Sequence, residues 1–351
     1  MLKHYGSLLA ALLCSASLMS CHLYKDTDDF VTLDREENPA DAAPQTLSVH
    51  FLGTGGIYLQ GEGVSLLGDP FFTNPLPWHW FSPFAVSSDA KLIDRELQRL
   101  PGIADLESVL VTHSHYDHAM DVSYISQHYF PLCIYGSETL RHAIGAVASF
   151  RVCSVEGRVT EYEQENPTWI KAGRQVRIAA IRSGHFNHLG NYFYGRGSYT
   201  EPPPGGEASR LYEWRVGETY SFVIDILNVP PLSGTVYRIF YMPSAASPPA
   251  GNIPVSIIND KTPVDLAIIG ASQVDKDENY PGELLAQIKP RAVMMVHWDS
   301  FVERYKTRRL MNLGVDPDVI GARIKARLGD EVKIYWPMRG AVHELPLIGN
   351  E

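Results

Sequence analysis

The sequence predicts an α/β layered domain. Three observations carry the prediction. Short β-rich runs alternate with helix-like segments from Leu47 toward the C-terminus. Apolar residues make up 45% of the 351, enough to offset the ordering entropy that keeps polar chains unfolded. The 28 glycines and 24 prolines show no fixed period, which excludes collagen and coiled coil. The formal net charge is −10, so a broad electrostatic grip on nucleic acid is excluded and no nucleic-acid partner is expected.

Residues 1–20 have the form of a secretory signal: Lys3, then an apolar run from Ser7 to Met19, shorter than the roughly 20 apolar residues a bilayer span needs. The run ends in Leu18-Met19-Ser20-Cys21, which resembles a bacterial lipobox. That resemblance implies a lipid on Cys21 and a protein held at the cell envelope, at the outer membrane or a periplasmic membrane face. The other reading is an ordinary cleavable signal with an incidental cysteine. Residues 21–46 form an acidic tether, with Asp26, Asp28, Asp29, Asp34, Glu36, Glu37 and Asp41 against Lys25 and Arg35, and with no apolar period. The folded domain is expected over 47–351. Its two cysteines, Cys133 and Cys153, lie in strand-like runs. They suit a disulfide in an oxidising compartment or two separate buried thiols, and the second reading is preferred.

Within the domain, TLSVHFLG and GVSLLGDP read as a hairpin through Gly61 to Gly63. Ser108–Thr112 is a β-rich run entering a His-rich loop. Further strands are expected in PLCIYG, FRVCSV, QVRIAAI, YSFVIDI, YRIFYM, VDLAIIG, AVMMVHW and VKIYW. Helices are expected over Lys91–Arg99, Met120–Gln127, Ser137–Val147, Glu283–Lys289 and Val319–Leu328. Tyr192–Glu213 reads as a long loop, a length usually associated with function.

The chemistry concentrates in Thr112-His113-Ser114-His115-Tyr116-Asp117-His118. Imidazole nitrogen and carboxylate oxygen suit Zn²⁺ and related divalent ions. In an extended stretch His113 and His115 point the same way, because the side-chain period is two. Asp117 and His118 follow as the chain turns into a helix, so they can face a second ion. The segment resembles the HxHxDH signature of the metallo-β-lactamase superfamily, and the resemblance covers most of Leu47 to Leu347. It implies an αββα sandwich of two mixed β-sheets flanked by helices. It assigns one metal to His113, His115 and a later histidine, and a second to Asp117, His118 and a C-terminal histidine. His185, in RSGHFNH after the strand QVRIAAI, is favoured as the later ligand. His188 stands three residues on, and would then be a pocket residue touching substrate. His297, in VHWD, matches the C-terminal ligand. Asp69 matches a family carboxylate that hydrogen-bonds the His loop. The family's bridging Asp is missing, since Ser244 stands about where it belongs. One tight and one loose ion, a bridge from elsewhere, or a site without turnover would each follow.

GDPFFTNPLPWHWFSPF, HYDH and VHWDSF resemble the branch that includes N-acyl-phosphatidylethanolamine phospholipase D and related bacterial lipoproteins. The implied function is a hydrolase using a metal-activated hydroxide on a phosphodiester, or on a carboxylic ester or lactone. The substrate is a small or lipid-like molecule, the cofactor one or two zinc ions with manganese or iron as substitutes, and Asp117 and His188 are the catalytic candidates. The aromatic loop Phe71–Phe84 suits an apolar pocket wall, a membrane contact or core packing. The alternative function is a metal-binding or scaffolding lipoprotein of the same fold that has lost turnover.

Overall fold

Two seven-stranded sheets face each other at the centre of the molecule. The computed structural model describes residues 46–188, 194–228, 234–301, 311–312 and 315–345. The expected signal, Cys21 and the tether up to residue 45 lie outside the described residues. Among the described residues no helix is long and apolar enough to cross a membrane.

The first sheet contains β1 (Leu47–Gly53), β2 (Gly56–Gly61), β3 (Val64–Gly68), β4 (Ser108–Leu110), β5 (Cys133–Gly136) and β6 (Val152–Ser154). The second contains β7 (Ile170–Lys171), β8 (Val176–Arg182), β9 (Tyr220–Leu227), β10 (Thr235–Met242), β11 (Leu266–Gly270), β12 (Ala292–Val296) and β13 (Lys333–Tyr335). A last strand, β14 (Val342–Leu345), returns to the first sheet beside β1. Each sheet is mixed. β1, β2 and β3 are antiparallel, and β3 to β6 run parallel. Likewise β7 to β10 are antiparallel, and β10 to β13 run parallel. The expected sandwich of two mixed sheets flanked by helices is what the chain forms.

Patterning explains the layers. In β1, Leu47, Val49 and Phe51 alternate into the core between the sheets. β4 is covered on both faces, so it reads as a continuous apolar run. Leu110 faces the second sheet, while Val109 and the following Val111 lie beneath helices. Those helices are α1 (Ala90–Leu97), α2 (Tyr116–Ala119), α3 (Val122–His128), α4 (Glu138–Ala143) and α5 (Ala146–Ser149). α6 (Val255–Ile258), α7 (Gly282–Ile288) and α8 (Pro317–Leu328) cover the second sheet, through residues such as Ile257, Leu285 and Ile324. Caps set several starts: Asp89 accepts from the Leu92 amide, Ser137 from Leu140, and Asp316 from Asp318 and Val319.

Three expectations need correction. The strand across Gly61–Gly63 from GVSLLGDP is β2, GIYLQG, and not TLSVHFLG. A tight turn at Gly53 to Gly56 had already reversed the chain, making a three-stranded meander. The expected helix over Ser137–Val147 is two pieces, because Gly145 adopts a φ of +80° between them. Cys133 and Cys153 are joined in a disulfide rather than standing as separate thiols. Pairing of β5 with β6 brings their Cα atoms to 5.8 Å, within bridging range.

Candidate metal centre

All the candidate metal ligands leave the ends of strands on one edge of the sandwich. In the first sheet β3 and β4 run the same way, and Asp69 and the His113–His118 loop follow their C-terminal ends. In the second sheet β8, β10 and β12 share a direction, and His185, Ser244 and His297 follow their ends. Two groups of side chains result. His113, His115 and His185 form one, and Asp117, His118 and His297 the other, with the potential ligand atoms of each group within 4.8 Å of one another. Five of the six are buried, and His185 is half-buried.

The outer nitrogen of a ring fixes which nitrogen faces inward. His185 donates from Nδ1 to the Phe186 carbonyl at 2.6 Å, which aims Nε2 at the other rings. His118 donates from Nδ1 to Asp69 Oδ2 at 2.7 Å, so its Nε2 faces His297 Nε2 at 3.3 Å. His113 Nε2 and His115 Nδ1 approach to 3.0 Å. His297 Nε2 lies 3.2 Å from Asp117 Oδ2. The His297 backbone is held at a φ of +57° by an N–H donated to the Thr54 carbonyl, and Asn312 donates to its carbonyl oxygen. Gly195, at a φ of +63°, closes over His115, where an added Cβ would meet the ring at 3.1 Å.

Asp69 ties this loop to β3. Its Oδ1 accepts from the Thr112 amide at 2.7 Å and its Oδ2 from the Thr112 hydroxyl at 2.6 Å, besides His118. It is fully buried. Asp69 therefore makes the contacts expected of it.

The two groups differ in charge. Burial, and then the neighbouring imidazoles, push His113 and His185 well below the ordinary histidine range. Burial takes His115 down to about 3, despite the opposing pull of Asp117. These three rings are neutral at pH 7. Burial alone would raise Asp117 and lower His118, but their mutual attraction, with His297 beside Asp117 and Asp69 beside His118, wins. Asp117 is held well below the usual carboxylate range, and His118 is raised. Three neutral imidazoles at one place, and a carboxylate with two imidazoles at the other, suit borderline divalent ions such as zinc.

Ser244 does not stand between the groups. Its Oγ lies 3.2 Å from His113 Nδ1, behind the ring whose Nε2 faces His115. Among the described residues, Asp117 is the one carboxylate in either group. Each group still has three potential ligands without a bridging carboxylate.

His188 lies beside the first group, its ring centroid 5.3 Å from His115 and 5.0 Å from His185. Its Nδ1 accepts the Tyr194 amide at 3.1 Å, so the neutral ring carries its proton on Nε2. Burial lowers its pKa, partly offset by Asp117.

An aromatic wall adjoins the histidines; the sequence offered the loop Phe71–Phe84 as a pocket wall but not Tyr116, Tyr194 and Phe301. The Trp80 indole donates to the Tyr116 hydroxyl at 2.7 Å, and the Tyr194 hydroxyl donates to the Trp80 carbonyl. Phe301 packs against Trp80, Tyr116 and His297. The loop Phe71–Phe84 is thus split. Phe71 and Phe72 are in the core, Trp80 joins the wall, and Trp78 and Phe84 are exposed. Asp121 fastens the loop by accepting from the Phe72 and Thr73 amides and the Thr73 hydroxyl. The motif HYDHAMD held the clue to that fastening, an acidic residue one turn past the ligands.

Comparisons with known proteins bear on the fold. The family model of the metallo-beta-lactamase superfamily matches residues 85–247. Igni18, a metallo hydrolase from the archaeon Ignicoccus hospitalis, superposes with a TM-score of 0.51 at 14% identity, covering 86% of this chain and 100% of its own. The metallo-beta-lactamase fold protein YhfI from Bacillus subtilis gives 0.46 at 13% identity, over 86% and 100%. An isothiocyanate hydrolase from Delia radicum gut bacteria gives 0.44 at 14%, over 84% and 98%. No curated protein sequence matches the chain. The chain has the metallo-β-lactamase fold.

Proposed function

We propose that the protein is a metal-dependent hydrolase acting on an ester or phosphodiester that carries an apolar group. The observation that carries this is the convergence of six side chains from three distant segments into two three-ligand groups. His113, His115 and His185 would hold one ion, and Asp117, His118 and His297 the other. Zinc is the first choice, with manganese or iron as substitutes. When bound, such ions lower the pKa of a water toward 7 and polarise the oxygen of the scissile group.

The chain's own residues supply the rest. Asp117 is ionised across the neutral range, so it accepts a hydrogen bond from the attacking water and orients it. His188, its Nδ1 occupied by the Tyr194 amide, presents an Nε2 proton to a substrate oxygen and stabilises charge developing there. Trp80, Tyr116, Tyr194 and Phe301 offer an apolar surface. The centroids of Trp80 and Tyr194, Trp80 and Phe301, and Tyr116 and Phe301 stand 6.0 to 6.4 Å apart, so the rings form one continuous face. A flat or aliphatic group of a substrate can pack on this face.

Likeness to the phospholipase D-like branch and the lipobox-like Leu18–Cys21 support a lipid-anchored envelope enzyme. The want of a bridging carboxylate between the two groups, among the described residues, favours a second reading: a protein that binds metal without turnover. Elemental analysis followed by a screen of chromogenic phosphodiesters, esters and lactones separates the two. Turnover that disappears together with the metal in His115→Ala and Asp117→Ala is the expected result. One or two ions per chain with no turnover on any of these substrates gives the second reading. Full activity after exhaustive chelation overturns both.

A further inference from the structure

The edge of the first sheet opposite the metal centre carries an exposed apolar patch. Phe130 lies two residues before Leu132, which immediately precedes β5; Phe150 is separated from β6 by Arg151, and Val147 lies on α5. They are 61%, 78%, 71% and 64% exposed. Arg151 joins the two chain segments. Its guanidinium lies 5.4 Å from the Phe130 ring and 5.0 Å from the Phe150 ring, and donates to the Pro131 carbonyl. Among the described residues Arg151 has no carboxylate partner, although the chain carries a net charge of −10. Phe130 is held at a φ of +47°, a costly conformation for a bulky residue, and yet its ring points to solvent. Large exposed apolar side chains gathered round a cation mark a contact surface rather than scattered surface residues.

Strand direction says which surface this edge meets. β1 is antiparallel to β2 and β2 to β3, and β3 to β6 run parallel, so β1, β3, β4, β5 and β6 all start on the same edge. The first strand, β1, begins there, at Leu47. The patch at the start of β5 is four strands away, about 19 Å at the usual strand spacing. The sequence leading into Leu47 is the acidic stretch that follows Cys21.

We propose that Phe130, Leu132, Val147 and Phe150, with Arg151, form the face by which the domain rests on its membrane, the rings entering the interface and the guanidinium meeting lipid phosphate. This rests on the lipid-anchor reading, and it adds an orientation. The metal centre, at the opposite edge, points away from the bilayer. Its apolar substrate then arrives from the aqueous side, and is not a phospholipid embedded in the anchoring membrane.

The full chain, carrying its N-terminal modification, is placed on vesicles of phosphatidylcholine with 30% phosphatidylglycerol, about the anionic content needed for a cation to register. Amide hydrogen exchange is compared with and without vesicles. Slower exchange at 130–132 and 147–151, with 76–84 unchanged, is the expected result. Phe130→Ser with Phe150→Ser should remove that protection and weaken vesicle partitioning by about a hundredfold, as loss of two buried rings implies. An unchanged melting temperature confirms that the variant is folded. Protection at 76–84 in place of the patch overturns the proposal, as does vesicle binding without protection at either place. Self-association lost in the double variant, with lipid protection absent, identifies a protein interface and overturns it too. Cys21→Ser reads the anchor separately: vesicle association that survives this change while patch protection persists sinks the anchor reading and leaves the patch.

Discussion

Asp69→Asn changes one atom in the buried centre of the His loop and tests whether that carboxylate governs the second metal group. One Asp69 oxygen can keep the Thr112 amide as donor. The other becomes an NH2 that faces two donors, the Thr112 hydroxyl and His118 Nδ1, at 2.6 and 2.7 Å. The hydroxyl can rotate and donate elsewhere. The imidazole has to give up its Nδ1 proton or its position, and either choice disturbs the Nε2 that faces His297. A mismatched buried polar contact of this kind costs about 1–3 kcal/mol, and loss of an outer partner of a metal-binding histidine lowers affinity about 10–100-fold, the same energy in other units. In the first group His185 is held by the Phe186 carbonyl, and His113 meets Asp69 at second hand, through the Thr112 hydroxyl. Zinc titration against a chromogenic chelator should therefore show one ion bound nearly as before and the other weakened by about one to two decades. Two ions retained at unchanged affinity would refute the reasoning. So would equal weakening of both.

Three further outcomes follow from other parts of the molecule. Trp80→Ala removes the indole that joins Tyr116, Tyr194 and Phe301, and should raise KM for substrates with an apolar leaving or acyl group by about tenfold while leaving small substrates unaffected, which a chain-length series measures. Arg238→Ala leaves Asp225, which is wholly buried, with Arg177 and Thr235 but without the second guanidinium, and should cost about 3 kcal/mol in urea unfolding, the low end for a broken buried pair. His50 and His343 are pushed down to about 4, by burial and, for His343, by burial with Lys333. The unfolded chain then binds more protons than the folded one between pH 6.5 and 4, so stability falls as the pH drops through that window, by up to about 3 kcal/mol per histidine. Denaturation of metal-free protein should be flatter across this range in His50→Leu, and an unchanged slope would contradict the assignment.

Much of the site is legible in the sequence because its ligands obey local rules. His113 and His115 are two residues apart in extended chain, and Asp117 and His118 occupy the first turn of α2. His185 and His297 each stand just beyond an apolar strand. The choice of His185 over His188 rests on the same rule, with the second ring left at the pocket side. The aromatic wall obeys no such rule. Trp80, Tyr116, Tyr194 and Phe301 come from four separate segments, and nothing in their spacing says that they meet. Nor does composition separate Phe71 and Phe72, which are buried, from Trp78 and Phe84, which are not. The Asp121 hydrogen bonds decide that by pinning one end of the loop. β2 escaped notice because its glycine-flanked GIYLQG carries few β-branched residues, and only pairing on both sides makes it a strand. Pairing of Cys133 with Cys153 likewise depended on the register of β5 against β6.

The two sheets explain why ligands so far apart in the chain converge. In each sheet three antiparallel pairings are followed by three parallel ones, so alternate strands of the meander and all strands of the parallel half share a direction. Five strand ends, those of β3, β4, β8, β10 and β12, then open on one edge. That edge is where open α/β sheets commonly place their sites, because the loops there are free of packing duties. A polar residue placed just after any of these strands reaches the same small volume, whatever the sequence distance. Asp69, the His113–His118 loop, His185, Ser244 and His297 are those residues. Ser244 shows the latitude this allows. The residue at one strand end can be a neutral hydroxyl beside His113 while the other ends still bring three potential ligands to each group.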